Sequence, residues 1–422
     1  QNCVYLLGDS DLTSVNQTSS MNMGEPATLT GFLDYAYANY PADAYALILW
    51  DHGAGPIEGY GFDELHEYDQ LTLSEMHQAL ENSALNQAGV RLSWMGFDAC
   101  LMCSIETANV MSDFSDYMIA SQEAVPNQGW DYSFLSASST ELTDGKTAAK
   151  RIIDAYAAFY DQQNATLINS KKIYTLSCLD LAKADATNTA LNAFFSALNN
   201  TILPDGYSKI AQKRSVMPVF GRFTLGQYSD LIDLKQFASL TGDYANDVSG
   251  ALISAVNDMV IYSRTNQEDA NGVSIFFPYE NPDYLKLDDQ QQFNWQSIYD
   301  QFDASDTYPA FLSNFSRLRT GAPMTSWRGK TAPTVGQDIA TKAYFLQLSS
   351  EQAANFETAA VYVVSHVSGD EYVFLQMGKN YTVDQENRVY ANFEDRLIYV
   401  TDASGETMIP WVFEQETIGD IV

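Results

Sequence analysis

Short apolar runs alternate with amphipathic stretches over the first 300 or so residues. The runs at 4–7, 45–50, 92–97, 117–120, 173–178 and 273–277 predict strands, and their unbroken apolar character predicts a parallel sheet covered on both faces. Between them, apolar residues recur at helical spacing over 28–40, 73–85, 103–113, 147–164 and 182–198, the pattern of helices flanking a sheet. From residue 303 to 340 the periodicity fails. Ser, Thr, Pro and Gly take over, with Arg317, Arg319, Arg328 and Lys330 among them, which reads as a linker or bridging segment. After it, AVYVVSHV, EYVFLQMG, RVYANF and RLIYVTDASGETMIPWVF alternate between turn residues and predict a small antiparallel β-rich domain over 341–422. The main domain then spans 1–302, a division that suits a 422-residue chain too long for one ordinary domain.

Composition narrows the class. With 46% hydrophobic and 13% aromatic residues the chain is globular, and no 18-residue apolar run is present to span a membrane. Against 22 basic side chains stand 54 acidic ones, a net charge of -32 that repels phosphate backbones and excludes nucleic acid as a partner. Within residues 1–145 the only Lys or Arg is Arg91, so this part carries a field that attracts cationic ligands. The chain opens at Gln1 directly on a strand-like run with no charged-then-apolar leader, which reads as a trimmed or processed chain whose first strand and helix, and any export signal, lie upstream.

Four histidines and four cysteines can each be weighed. His66 and His77 lie in or beside a polar helical region and His366 in a strand of the β domain, settings of surface or packing residues. His52 follows the apolar run YALILW by one residue and precedes Gly-Ala-Gly, at the carboxyl end of a strand, where open α/β sheets bind ligands. Cys100 has the same setting after LSWMGF, with a helix starting a few residues on. A thiol near a helix N-terminus and an imidazole has its thiolate favoured, as a nucleophile at neutral pH requires. Cys3, Cys103 and Cys178 complete the set, too few for a disulfide scaffold.

WDHGAG at 50–55 and GFDACLMCSIETA at 96–108 resemble the histidine and cysteine motifs of the clostripain family of cysteine peptidases, relatives of caspases, gingipains and legumains. The segments YDQLTLSEMHQAL, YMIASQEAVPNQGW and GVSIFFPYENP resemble family segments in the family's order, so the likeness covers residues 1–300. It implies a caspase-like, mostly parallel sheet flanked by helices. It also implies a Cys-His dyad, with His52 as general base and acid and Cys100 as attacking thiolate, forming an acyl-enzyme thioester. The backbone N–H groups of Gly53 and Cys100 would form the oxyanion hole. Asp98 matches the floor of the pocket for the residue before the cut bond, which implies cleavage after Arg or Lys. Trp130 and Asp131 would add a wall and a second charge to that pocket. Asp51 need not join the dyad, because strand neighbours point to opposite faces.

The resemblance further implies protein or peptide substrates with a basic residue at the cut, secretion or cell-surface display by a bacterium, and no required cofactor. Calcium stays open without a site, since no EF-hand-like loop is visible. Some relatives cut themselves between the two motifs, but that interval holds only Arg91; Lys171-Lys172, Lys213-Arg214 and the basic stretch 317–330 are better candidates for self-processing. Three alternatives remain: a redox or metal centre at Cys100-x-x-Cys103, a catalytically silent binding protein on the same fold, and a peptidase specific for Asn or Asp.

Overall fold

A computed structural model describes residues 2–8, 11–167, 171–202, 206–221, 229–245, 248–288, 292–299 and 307–321, together with 334–338, 344–350, 353, 361–368, 371–378, 381–391, 399–402 and 405–408. The chain divides into two units, one of Gln1–Thr201 with Pro218–Thr320 and one of Ile202–Met217 with Gly321–Val422. Among the described residues no helix is long and apolar enough to cross a membrane.

The first unit is built on five strands: β1 (Ala46–Trp50), β2 (Trp94–Asp98), β3 (Tyr117–Ala120), β4 (Thr175–Asp180) and β5 (Val260–Thr265), in the spatial order β5-β4-β3-β2-β1. Strands β1, β2 and β3 run parallel, while β4 and β5 are antiparallel to their neighbours. The sheet is therefore mixed, with its parallel half holding both candidate chemical motifs. All five residues of β2 are buried, as expected of a strand covered on both faces. One face is closed by α1 (Gly145–Thr166), started by Asp144, whose side chain accepts from the Thr147 N–H at 2.8 Å. Its residues Ile152, Ile153, Tyr156 and Tyr160 share a core with Trp94, Ile119, Leu176 and Cys178. On the helix side of the unit, α2 (Ala184–Thr201) packs on α3 (Val248–Met259), which in turn lies on β4 and β5.

Besides the antiparallel β4 and β5, where the sequence predicts a parallel sheet, the structure departs from the sequence expectation in three places. The run at 4–7 is half of a separate antiparallel hairpin, Asn2–Leu7 with Leu12–Thr18. The run at 273–277 pairs outside the main sheet, Ser274–Phe276 against Leu231–Asp233. The segment expected as a linker contains α4 (Thr307–Gly321). Its buried Tyr308, Phe311, Leu312 and Phe315 recur at i, i+3, i+4 and i+7, one face of a helix. Phe311 packs on Phe195 and Phe277 at centroid distances of 5.0 and 5.7 Å, and Phe315 on Phe277 at 4.9 Å. Pro309 and the Ser/Thr-rich text around it hide this stripe, although proline is tolerated in a helix's first turn.

The second unit holds a four-stranded antiparallel sheet ordered Thr334–Gln337, Tyr344–Gln347, Arg388–Ala391 and Tyr381–Val383, with Leu348 and Val389 forming a small buried cluster. Two further antiparallel pairs join Val361–Ser368 to Glu371–Gly378 and Tyr399–Asp402 to Gly405–Met408. Residues 202–217 contribute the helix Tyr207–Ser215, whose Ser215 Oγ lies 3.1 Å from the Tyr381 hydroxyl.

Candidate active site

Strands β1 and β2 pair from Ala46 with Trp94 to Trp50 with Asp98. His52 and Cys100 each follow that last pair by two residues, so they leave the sheet at the same level on adjacent strand ends. Gly53 closes the gap: a Cβ there would lie 2.1 Å from the Cys100 carbonyl oxygen and 3.0 Å from its nitrogen. Only a residue without a side chain allows the two loops to touch. His52 is exposed, its backbone N–H donates to Asp51 Oδ1 at 2.6 Å, and its ring meets Phe62 edge-on at 5.9 Å. Asp51 thus serves the backbone of the loop.

The Cys100 thiol sits against main chain. Sγ accepts from the Val125 N–H at 3.3 Å and donates to the Val125 carbonyl at 3.8 Å. Burial pushes the thiol up, the Glu123 and Asp98 carboxylates push in the same direction, and the Val125 and Gly53 N–H groups oppose them. The expectation of a helix-favoured thiolate therefore meets a different geometry. The next helix, Ile105–Met111, begins five residues on, and its Ser104 cap already accepts from the Thr107 N–H at 3.1 Å. In the described arrangement burial and the neighbouring carboxylates favour the thiol over the thiolate.

Asp98 is 2% exposed. Its oxygens accept from the Trp130 backbone N–H at 3.1 and 3.0 Å and from the Tyr132 hydroxyl at 3.1 Å. Gly129, at φ 66°, passes so close that a Cβ would come within 2.7 Å of Oδ2. Burial raises the carboxyl's pKa, with the Trp130 and Tyr132 donors acting against it. Among the described residues no Lys or Arg pairs with Asp98. The same anion, after burial itself, helps push the Tyr160 hydroxyl up to about 12.

Trp130 contributes to this cradle through its main chain. Its indole is buried in the core, over Gly96, where a Cβ would meet Cη2 at 2.7 Å. Asp131 caps the short helix Tyr132–Ser136, accepting from the Ser133 N–H at 3.0 Å. Sequence reasoning missed Tyr132, Gly129 and Glu123. The first two adjoin the residues chosen, but nothing in one-dimensional text says which of four neighbours will turn toward the pocket.

The other candidates have structural roles. His66 Nδ1 lies 2.9 Å from Asp63, and His77 Nε2 lies 3.2 Å from Asp113 with its ring on Phe114. His366 lies in the strand Val361–Ser368. Cys103 is fully buried and its thiol donates to the Gly272 carbonyl at 3.1 Å, and all four cysteines are free. Among the described residues no group of three His, Cys, Asp or Glu side chains converges for a metal ion.

The family model of the clostripain family of C11 peptidases matches residues 3–321. Clostripain of Hathewaya histolytica is 24% identical over 367 residues, covering 74% of this chain and 68% of its own. Two solved structures share the fold with a TM-score of 0.51 and 18% identity. One is an inactive zymogen C11 protease from Parabacteroides distasonis, covering 72% of this chain and 81% of that one. The other is a secreted C11 cysteine protease from Bacteroides thetaiotaomicron in complex with an irreversible peptide inhibitor, covering 70% and 84%. With its histidine and cysteine loops joined at the carboxyl end of a caspase-like sheet and this match running through both, the chain belongs to the clostripain family and is a cysteine endopeptidase.

Proposed function

We propose that the protein cleaves peptide bonds after Arg or Lys with a Cys100-His52 dyad. The observation that carries the specificity is Asp98, a buried carboxylate held by hydrogen-bond donors and paired with no described cation. Such a group is costly to bury alone and gains most from a substrate guanidinium or ammonium entering beside it. Tyr132 orients it, Trp130 fixes it through the main chain, and Asp131 adds a second carboxylate next to the pocket.

In the reaction, His52 takes the Cys100 proton and Sγ attacks the scissile carbonyl carbon. The oxyanion that forms is met by the N–H groups of Gly53 and Cys100. His52 then gives the proton to the leaving amine, and the thioester left on Cys100 is hydrolysed by water activated by the same imidazole. Formation of the thiolate gives up the bond to the Val125 carbonyl and keeps the Val125 N–H as a donor to Sγ. No cofactor enters this scheme, and calcium is given no role in it. Secretion, as described for the Bacteroides relative, suits the acidic surface.

The test is hydrolysis of fluorogenic peptides ending in Arg, Lys, Asn or Asp, beside Cys100→Ala and Asp98→Asn. Cleavage after Arg or Lys that disappears in both variants is expected. Cleavage after Asn or Asp that survives Asp98→Asn would replace this reading.

A further inference from the structure

Glu123 has no part in the dyad or the specificity pocket, yet it is woven around the nucleophile. Its Oε1 accepts two backbone N–H groups, Ala124 at 2.7 Å and Gly221 at 2.8 Å. Its own carbonyl accepts from the Leu101 N–H at 3.3 Å and from the Ser121 hydroxyl at 2.8 Å, and its N–H donates to Thr175 Oγ1 on β4 at 3.0 Å. The residue two further on, Val125, donates to Cys100 Sγ through its N–H and accepts from it through its carbonyl. Leu101, directly after the cysteine, is held at φ 66°, a conformation that a leucine adopts only where its surroundings fix it. Its side chain fills the space over Gly221, where a Cβ would meet Leu101 Cδ1 at 2.6 Å. Three segments distant in sequence therefore meet around Glu123: Gly221 at its carboxylate, Leu101 at its main-chain carbonyl, and Cys100 at the main chain of Val125 two residues on.

We propose that Glu123 is the positioning residue for the Cys100 thiol: its carboxylate fixes the main chain of 124–125 that cradles Sγ and anchors that cradle to Gly221. Charge-assisted bonds to two N–H groups are the stronger kind, and an anion gives both from one atom. The proposal rests on Cys100 as the nucleophile. The charge is also felt by the thiol, since Glu123 raises the cost of forming the thiolate. The other titratable groups bearing on Cys100 are Asp98 at the end of its own strand and Tyr156 on α1, and the Gln267 amide bears on Glu123.

Glu123→Gln keeps an oxygen for both N–H groups and removes the charge, whereas Glu123→Ala removes both. The test measures the rate of Cys100 alkylation by iodoacetamide against pH, and kcat and KM on the best fluorogenic peptide, for the whole chain. Glu123→Ala is expected to lose roughly a hundredfold in kcat with KM little changed, the scale of a small displacement of a reacting atom. Glu123→Gln is expected to restore most of that loss and to move the alkylation profile to lower pH, which a purely structural residue would not do. If Glu123→Ala alkylates and cleaves as the parent does, or if Glu123→Gln leaves the alkylation profile where it was, the proposal falls. Should Glu123→Ala not fold, the Glu123→Gln profile decides alone. Because alkylation needs no peptide substrate, it still reads the proposal if the expected specificity is wrong.

Discussion

Trp50 and Asp98 are direct partners across the parallel strands β1 and β2, one 72% exposed and the other buried. Their pairing sets the level at which His52 and Cys100 leave the sheet, and Gly53 is where the two loops touch. Gly53→Ala is accordingly expected to reduce kcat by about a hundredfold or more, since a methyl group cannot share space with the Cys100 carbonyl. Steady-state kinetics with a folding check by circular dichroism would read this. A variant that keeps full activity would mean that the loops are spaced more widely than described.

Tyr132 tests the pocket without touching the charge. Tyr132→Phe removes one of the donors to Asp98, and hydrogen bonds to ionised groups contribute about 1.5–3 kcal/mol. KM for an Arg or Lys peptide should rise about tenfold or more while kcat changes little. An equal fall in kcat with KM unmoved would instead connect Tyr132 to the chemical step.

Stability should fall as pH rises above the ordinary carboxyl range. Burial raises the pKa of Asp98, Glu106 and Asp233 in the folded chain. A raised carboxyl binds its proton more tightly when folded, so its contribution is complete below the unfolded value near about 4 and is lost as pH climbs through the folded value. Repulsion from the net charge of -32 acts in the same direction, but high salt screens it while leaving the buried groups unchanged. Urea midpoints at high salt should therefore decline from pH 5 to pH 8. A flat or rising trend would show that these carboxyls are better solvated than their burial indicates.

Cys103 separates a peptidase from a redox centre. Its thiol is pushed well up by burial first, then by Cys178 and Asp233, and it is bonded to Gly272. Cys103→Ala should keep activity and Cys100 alkylation within about twofold, with only the cost of a small buried deletion, on the order of 1 kcal/mol. Loss of Cys100 reactivity in that variant would revive the paired-cysteine reading.

The sequence carried the sheet's parallel half and its two motifs because strand ends, glycines and reactive residues are local features. The loops around Asp98 were legible only in part: Trp130 and Asp131 stood out as an aromatic and a charge, whereas the contacts come from the Trp130 N–H and the Tyr132 hydroxyl. Strand direction in β4 and β5 depends on chain reversal through α1 and α3, which no short window records. Glu123 escaped because its partners, Ala124 and Gly221, lie 97 residues apart, and backbone donors leave no trace in side-chain identity.

Basic residues near the end of the first unit are folded into α4 and not displayed on an open strand. Arg319 donates to the Tyr279 carbonyl at 2.8 Å and stacks on that ring at 3.7 Å, and the Tyr308 hydroxyl holds the Phe276 carbonyl. A protease reads its substrate as an extended segment several residues long, so a cut after Arg317 or Arg319 must wait for the helix to unwind. The rate of trypsin cleavage at these two bonds thus becomes a clock for local opening of α4, one that runs independently of whether the enzyme itself is active.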